Sequence, residues 1–214
     1  MLASGRGTNF EALARAVKRG DINGEVRVLI ANVLDAPVLA RAEVERIPGV
    51  AVLHRDYAKR ADFERALIAE LQRHDVGLVC LAGFMRILSP VFVNAFQDRI
   101  MNIHPSLLPA FAGLLGMQVH EAVIASGVKV TGCTVHFVTT DVDAGQIIVQ
   151  RAIPVREDDN AETLAVRVLV EEHQAYAEAV RLFCAGRLKV EGRRVRVTAA
   201  RDEGRGTRDG SPGS

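Results

Sequence analysis

The fold follows from an apolar run in the middle of the chain, Val76-Gly77-Leu78-Val79-Cys80-Leu81-Ala82. A nearly continuous run of this kind is typical of a central parallel strand that is covered on both faces. The preceding residues, 59–73, predict an amphipathic helix. Its apolar side chains share one face: Phe63, Leu67, Ile68 and Leu71.

Strands and helices alternate on both sides of this run. The pattern predicts strands at 25–31, 50–53, 130–138 and 146–155, helices from about residue 10, from Pro37, at 117–126 and at 161–185, and a closing pair of short strands within 188–197. Alternation through the first hundred residues predicts an α/β fold, with βαβ units, a parallel sheet and right-handed crossovers.

Composition fits one domain over residues 1–200, followed by a disordered tail at 201–214 that has no large apolar residue. The chain has 214 residues, 49% of them hydrophobic and 25% charged, and a formal net charge of +1. We expect no nucleic-acid partner, no membrane span and no signal peptide. Three scattered cysteines, Cys80, Cys133 and Cys184, fit buried reduced thiols in a cytoplasmic protein.

A polar pair interrupts the apolar segment Ile100-Met101-Asn102-Ile103-His104-Pro105. Residues two apart in an extended chain point to the same face, and Pro105 disfavours a helical His104. The segment therefore presents a carboxamide beside an imidazole, a pair that can polarise a carbonyl and move a proton. A hydrogen-bonded structural histidine is the alternative.

Three other segments carry candidate site residues. Ser4 to Asn9 resembles a glycine-rich loop before a helix that Thr8 or Asn9 can cap, and it predicts either a phosphate site or a plain tight turn. The loop at 83–90 should lie beside His104, because ligands bind beyond the carboxyl ends of parallel strands. Glu172 falls on the apolar stripe of the last helix, so it is either paired or functional, or it escapes past the helix edge.

Several motifs, in this order, resemble the folate-dependent formyltransferases, and among them the phosphoribosylglycinamide formyltransferases. They are S-G-R-G-T-N-F at 4–10, L-A-G-F-M-R-I-L-S-P at 81–90, N-I-H-P-S-L-L-P at 102–109, D-V-D-A-G at 141–145 and E-E-H at 171–173. The resemblance runs from Leu2 to about Leu188. It implies a Rossmann-like fold, with a mostly parallel mixed sheet flanked by helices. It also implies a nucleotide-binding half at about 1–100 and a folate and catalytic half at about 101–200.

By this resemblance, the chain would transfer a formyl group from 10-formyltetrahydrofolate, a co-substrate, to the amino group of glycinamide ribonucleotide in de novo purine biosynthesis. The implied catalytic residues are Asn102, His104 and Asp143. Gly7, Thr8, Asn9 and Glu172 match contacts to the ribonucleotide, and Arg60, Met85, Arg86, Ile87, Leu88 and Asn102 match the folate side. Asn102 and a protonated His104 would stabilise a tetrahedral intermediate, with Asp143 as proton relay and no metal.

The chain departs from the family pattern at four places. Ala112 and Gln146 each stand where a proline is usual. Leu169 stands where a glutamine is usual. Only Met1-Leu2-Ala3 precede the glycine loop, where the family has a full strand. We therefore expect a late-start version of a longer protein, with a mobile loop at 5–9, a partly unpaired neighbouring strand and weaker ribonucleotide binding.

Three other functions compete with this one. A formyltetrahydrofolate deformylase shares the Asn-His-Asp chemistry but normally carries an extra N-terminal domain, and a methionyl-tRNA formyltransferase would need a further C-terminal domain. A non-catalytic Rossmann-type nucleotide-binding protein would explain the glycine loop alone. We expect small-molecule partners only, and a monomer or homodimer.

Overall fold

A nine-stranded sheet forms the centre of the protein, whose computed structural model describes residues 1–199. The strands are β1 (Leu2–Ala3), β2 (Leu29–Ala31), β3 (Gly49–Ala51), β4 (Val79–Leu81), β5 (Ile100–His104), β6 (Val130–Phe137), β7 (Ile147–Pro154), β8 (Leu188–Glu191) and β9 (Arg194–Val197). The helices are α1 (Thr8–Lys18), α2 (Pro37–Glu45), α3 (Arg60–Arg73), α4 (Pro90–Ala95), α5 (Met117–Ser126) and α6 (Ala161–Cys184). The tail predicted at 201–214 lies outside the described residues.

The order of strands in the sheet is β3-β2-β1-β4-β5-β6-β7-β9-β8. The first five strands in this order are parallel, whereas β6 is antiparallel to both β5 and β7. The predicted α/β fold with a mostly parallel mixed sheet is confirmed. The sheet continues without a break past residue 100, so both sides of that position contribute to one layer.

Helices cover both faces of the sheet. Successive side chains along each strand point to opposite faces, so the apolar side chains form one core on each face. Phe10 and Tyr176 pack on one face with Met101, and Leu67 packs on the other face with Ile100. The Tyr176 hydroxyl lies 2.9 Å from the Met101 carbonyl oxygen, which ties the long helix α6 to the sheet. Burial on both faces explains why the central strands have continuous apolar sequences.

Strand β1 is short but is paired on both sides. Leu2 is in register with Ile30 on β2 and with Leu81 on β4. The strands predicted at 25–31 and 76–82 are both shorter than expected, because regular pairing of β2 and β4 begins at Leu29 and Val79. A strand needs a neighbour to accept and donate its backbone hydrogen bonds, so β2 and β4 form regular strands only near the residues that lie beside β1.

Two local predictions are wrong, and one helix was not predicted. Helix α1 has Gly7 in its N-cap position with φ 73° and no side-chain cap, so neither Thr8 nor Asn9 caps it. A Cβ atom on Gly7 would lie 2.2 Å from Val38, so the close packing of α1 against α2 excludes a capping side chain there. Helix α4 (Pro90–Ala95) was not predicted, and it begins at the last residue of the loop expected at 83–90. Cys184 is exposed in the last turn of α6, although Cys80 and Cys133 are buried.

No helix within residues 1–199 is both long and apolar enough to cross a membrane.

Candidate active site

A cavity of about 350 Å³ opens at the carboxyl ends of β1, β4 and β5. Strand order reverses between β1 and β4, and open α/β sheets bind ligands at such a point. Its walls come from both sides of residue 100. They include residues 5–9, 81–88, 102–105, 114–117 and 138–143, together with His120, His136, Ala165, Leu169 and Glu172.

Strand β5 directs Asn102 and His104 into this cavity. Both residues line it, as the spacing of two in an extended strand predicts. His104 is buried and Asn102 is half-buried. Strand β6 lies antiparallel beside them, so that Asn102 is opposite His136 and His104 is opposite Thr134.

The turn after β6 brings Asp143 to His104. The Asp143 Oδ2 atom lies 3.4 Å from His104 Nδ1 and accepts a 2.9 Å hydrogen bond from the backbone N–H of Gly113. Asp143 has φ 50°, a conformation that aspartate tolerates better than most residues. Position 145 requires a glycine, because a Cβ atom there would lie 1.7 Å from the Phe137 carbonyl oxygen. This turn therefore carries a site carboxylate.

His136 is a site residue that the sequence did not reveal. Its Nε2 atom lies 3.2 Å from Asn102 Nδ2 and 3.6 Å from Asp143 Oδ1. Its Nδ1 atom lies 2.9 Å from the Phe137 carbonyl oxygen, a geometry in which Nδ1–H donates and Nε2 accepts from Asn102. Burial lowers the pKa of His136, which keeps this ring neutral. The only signal was its place opposite Asn102, and that depends on strand register.

The surroundings of His104 act on its charge in opposite directions. Burial lowers the pKa of His104, while Asp143 and the Phe111 carbonyl partly oppose this by stabilising the imidazolium. The Nε2 atom lies 3.1 Å from the Phe111 oxygen, so both ring nitrogens face an oxygen acceptor. The neutral ring can donate to only one of them, and the protonated ring can donate to both.

Asn9 and Glu172 meet in the wall of the same cavity. Asn9 Nδ2 donates a 2.7 Å hydrogen bond to Glu172 Oε2. Glu172 is 9% exposed, so it does not escape past the edge of α6. Burial raises the pKa of Glu172 to about 7, against the opposing effect of the Asn9 hydrogen bond. Asn9 Oδ1 is buried and has no hydrogen-bond partner among residues 1–199. Gly7 and Thr8 line the cavity beside this pair.

The loop after β4 forms the apolar wall, and all four of its candidate residues, Met85, Arg86, Ile87 and Leu88, line the cavity. Met85 and Ile87 are 51% and 56% exposed, and Leu88 is buried. Arg60 does not line the cavity. It lies behind this loop, where its guanidinium donates to the Ile87 carbonyl and, over 3.0 Å, to Glu64.

Further residues complete the walls without having been expected there. Arg6 and His120 line the cavity, and the buried Nδ1 atom of His120 has no partner within residues 1–199. Leu169 lines it as well. Across the part of the chain that the structure describes, no group of three or more His, Cys, Asp or Glu side chains could hold a metal ion.

Solved structures of similar proteins resemble this chain in both sequence and fold. The crystal structure of glycinamide ribonucleotide transformylase 1 from Symbiobacterium toebii is 48% identical, with 92% of each chain covered and a TM-score of 0.90. The phosphoribosylglycinamide formyltransferase of Coxiella burnetii, solved in complex with CHES, is 40% identical, with 92% of this chain and 90% of that chain covered and a TM-score of 0.86.

Curated relatives include a much longer protein. The trifunctional purine biosynthetic protein adenosine-3 of Gallus gallus is 44% identical over 190 residues, which are 89% of this chain and 19% of the relative. The chain thus spans about a fifth of the length of that relative. A formyltetrahydrofolate deformylase structure from Pseudomonas syringae is 24% identical with a TM-score of 0.83 and covers 92% of this chain and 65% of its own, a likeness of fold alone.

The family assignment rests on nearly the whole domain. The family model described as Formyl transferase matches residues 1–180, a range that contains the cavity and all of its lining residues. The chain belongs to the formyl transferase family.

Proposed function

We propose that this chain transfers the formyl group of 10-formyltetrahydrofolate to the amino group of glycinamide ribonucleotide. The observation that carries the proposal is the meeting of Asn102, His104 and Asp143 in one cavity, with His104 Nδ1 3.4 Å from the Asp143 carboxylate. A glycine-rich helix start and an apolar loop line the same cavity. Two different substrates can therefore reach the trio together.

The ribonucleotide would occupy the end formed by Gly7, Thr8, Asn9 and Glu172. Backbone N–H groups at the start of α1 suit a phosphate, because the first turn of a helix has no internal acceptors for them. The unpaired Oδ1 atom of Asn9 and the carboxyl group of Glu172 are acceptors for ribose hydroxyls or the glycinamide group.

The folate would lie against the apolar loop at Met85 to Leu88. Met85 and Ile87 offer exposed apolar surface to a flat ring. Burial of the ring against this surface would stabilise the bound folate. Arg60 would support this loop from behind through the Ile87 carbonyl, and would not contact the folate ring directly.

In the reaction, the neutral amine attacks the formyl carbon, and a new C–N bond forms while negative charge gathers on the formyl oxygen. One N–H of the Asn102 carboxamide is held by His136, and the second is available to that oxygen. The bond from carbon to the folate N10 then breaks. The proton lost by the attacking amine passes through Asp143, His104 or water to N10, so no net proton is consumed.

His104 must exchange one of its present partners to take part. Its Nε2 atom is 3.1 Å from the Phe111 carbonyl, and the formyl oxygen would replace that carbonyl as the acceptor. A developing negative oxygen beside the ring favours the imidazolium, which reverses the effect of burial on the pKa of His104 at the moment when the charge is needed.

Hydrolysis of the same folate is the second candidate, since water could replace the amine. Asn9 and Glu172 favour transfer, because a hydrolase has no need of a second polar pocket at the helix start. A nucleotide-binding protein without catalysis would leave the Asn102, His104 and Asp143 arrangement without a use. Cytoplasmic location and a monomeric or homodimeric state stay predictions.

The test is to mix the purified chain with 10-formyltetrahydrofolate, with and without glycinamide ribonucleotide, and to measure formylated ribonucleotide and free formate. We expect formylated product only with both substrates, and little formate. Formate release at the same rate with and without ribonucleotide would identify a hydrolase. Neither product, with nucleotide still bound, would favour the binding protein.

A further inference from the structure

The side chain of Ser4 connects three loops behind the cavity and does not line it. Ser4 follows β1, the central strand of the parallel part of the sheet, so the ends of β2 and β4 flank it. Its hydroxyl donates a 2.6 Å hydrogen bond to Asn32 Oδ1, just after β2. The same hydroxyl accepts a 2.8 Å hydrogen bond from the backbone N–H of Met85, after β4.

The backbone of Ser4 reinforces the same connection. Its N–H donates a 3.0 Å hydrogen bond to the Gly83 carbonyl oxygen. Ser4 is thus bonded twice to the loop that carries Met85 to Leu88, while the next residues along its own chain, Gly5 to Asn9, line the cavity at the helix start. One residue therefore sets the distance between the two loops expected to hold two different substrates.

The third partner of Ser4 is itself held in place. Asn32 is 4% exposed, and the Nδ1 atom of His54 lies 3.0 Å from its carbonyl oxygen. The His54 ring in turn packs edge-on against Phe63, and the Arg86 guanidinium lies 5.7 Å from the centroid of the same Phe63 ring. The hydroxyl proton of Ser4 thus points to a fixed acceptor, and the hydroxyl oxygen is left to accept from the backbone N–H of Met85.

We infer that Ser4 is a positioning residue that sets the spacing of the glycine-rich loop and the Met85 to Leu88 loop, and through it the affinity for both substrates. The inference rests on the proposed function for the identity of those substrates. Removing the hydroxyl leaves the Met85 N–H and the Asn32 Oδ1 atom without their shared partner. Both loops then lose one of their fixed points at the same time.

The test is to measure binding of glycinamide ribonucleotide and of 5-formyltetrahydrofolate, separately, to wild type and to Ser4→Ala. Loss of these two partly exposed hydrogen bonds is expected to weaken each Kd about fivefold, and both together. Ser4→Thr keeps the hydroxyl and should bind both ligands like wild type. Ser126→Ala is a matched control, because that hydroxyl only donates to Val123 within α5, away from the cavity.

A purely structural role for Ser4 predicts a lower melting temperature with both Kd values unchanged, and that result would overturn the inference. A change in only one Kd would overturn it as well. If Ser4→Ala does not fold, Asn32→Ala is the second variant. It removes the acceptor of the Ser4 proton and should weaken both Kd values in the same direction. Because these are binding measurements, they stand apart from the formyl transfer assay. Failure of the wild type to form product would refute the proposed function. The comparison of Kd values between wild type and Ser4→Ala would still test the role of Ser4.

Discussion

Asn102 and His136 face each other across two antiparallel strands, with Asn102 Nδ2 3.2 Å from His136 Nε2. The second ring nitrogen of His136 is committed to a backbone carbonyl, so the orientation of the Asn102 carboxamide is decided by a neutral histidine. Strand pairing thus orients a carboxamide before any substrate arrives. Preorganised donors of this kind are the usual source of stabilisation for a developing oxyanion.

We predict that His136→Ala lowers kcat with little change in either KM. Without its partner the Asn102 side chain can rotate, and misplacement of about 1 Å can cost up to about a hundredfold in rate. Steady-state kinetics with both substrates measure the effect. His173→Ala, a half-buried histidine outside the cavity, is the control and should keep the wild-type rate. An unchanged kcat in His136→Ala would mean that Asn102 is oriented by other contacts.

His104→Ala and Asp143→Asn should each lower turnover by at least about a hundredfold, the usual scale for loss of an acid–base or oxyanion group. Affinity for 5-formyltetrahydrofolate should change little, because the apolar loop supplies that surface. Single-turnover rates and binding titrations on the same preparations separate the two effects. His74→Ala, paired with Glu70 at the end of α3, tests for a general effect of losing a histidine. Near-normal turnover in His104→Ala would refute the proposed chemistry.

Glu172→Gln should raise the KM for the ribonucleotide several-fold and leave folate binding unchanged, since Glu172 meets Asn9 beside the helix start. Glu171→Gln makes the same chemical change one residue earlier, where the side chain contacts Arg151 on the far side of α6. That control should keep both kinetic constants. A lower melting temperature with unchanged KM in Glu172→Gln would instead assign Glu172 to stability alone.

Stability should also depend on pH through Glu172. Its pKa is about 7 in the folded protein and 4.5 for the ordinary carboxyl group, so the folded state holds the extra proton between these values. This contribution is complete below pH 4.5 and is lost as the pH rises through 7, up to roughly 3 kcal/mol. Glutamine resembles the protonated acid at every pH. Denaturant unfolding at pH 5 and pH 8 should therefore show Glu172→Gln gaining stability relative to wild type at the higher pH. Parallel behaviour of the two proteins would contradict the raised pKa.

Exhaustive chelation should leave formyl transfer unchanged, because the proposed steps use only side chains and water. The measurement compares initial rates before and after dialysis against a chelator, with the chelator also present in the assay. A known zinc enzyme treated in parallel shows that the dialysis removes metal. Loss of activity that a divalent ion restores would require a metal in the mechanism.

The sequence by itself determined the elements and their layers. The helical spacing of apolar side chains identified α3 and α6, and a continuous apolar run identified β4, because burial on one or both faces leaves a local pattern in the chain. The spacing of Asn102 and His104 was equally local, since two residues apart on a strand share a face whatever the rest of the protein does. Glu172 was recognisable because a carboxylate on an apolar stripe is costly unless its burial has a purpose.

Only the tertiary structure decided which side chains meet. His136 stands opposite Asn102 because of antiparallel register, and Asp143 reaches His104 because a turn with a positive φ carries it back over the strand end. Arg60 has the right residue type and lies near the right loop, yet the packing of α3 places it behind the wall. Contacts between residues far apart in the chain depend on register, turn geometry and helix packing, and no local period records these.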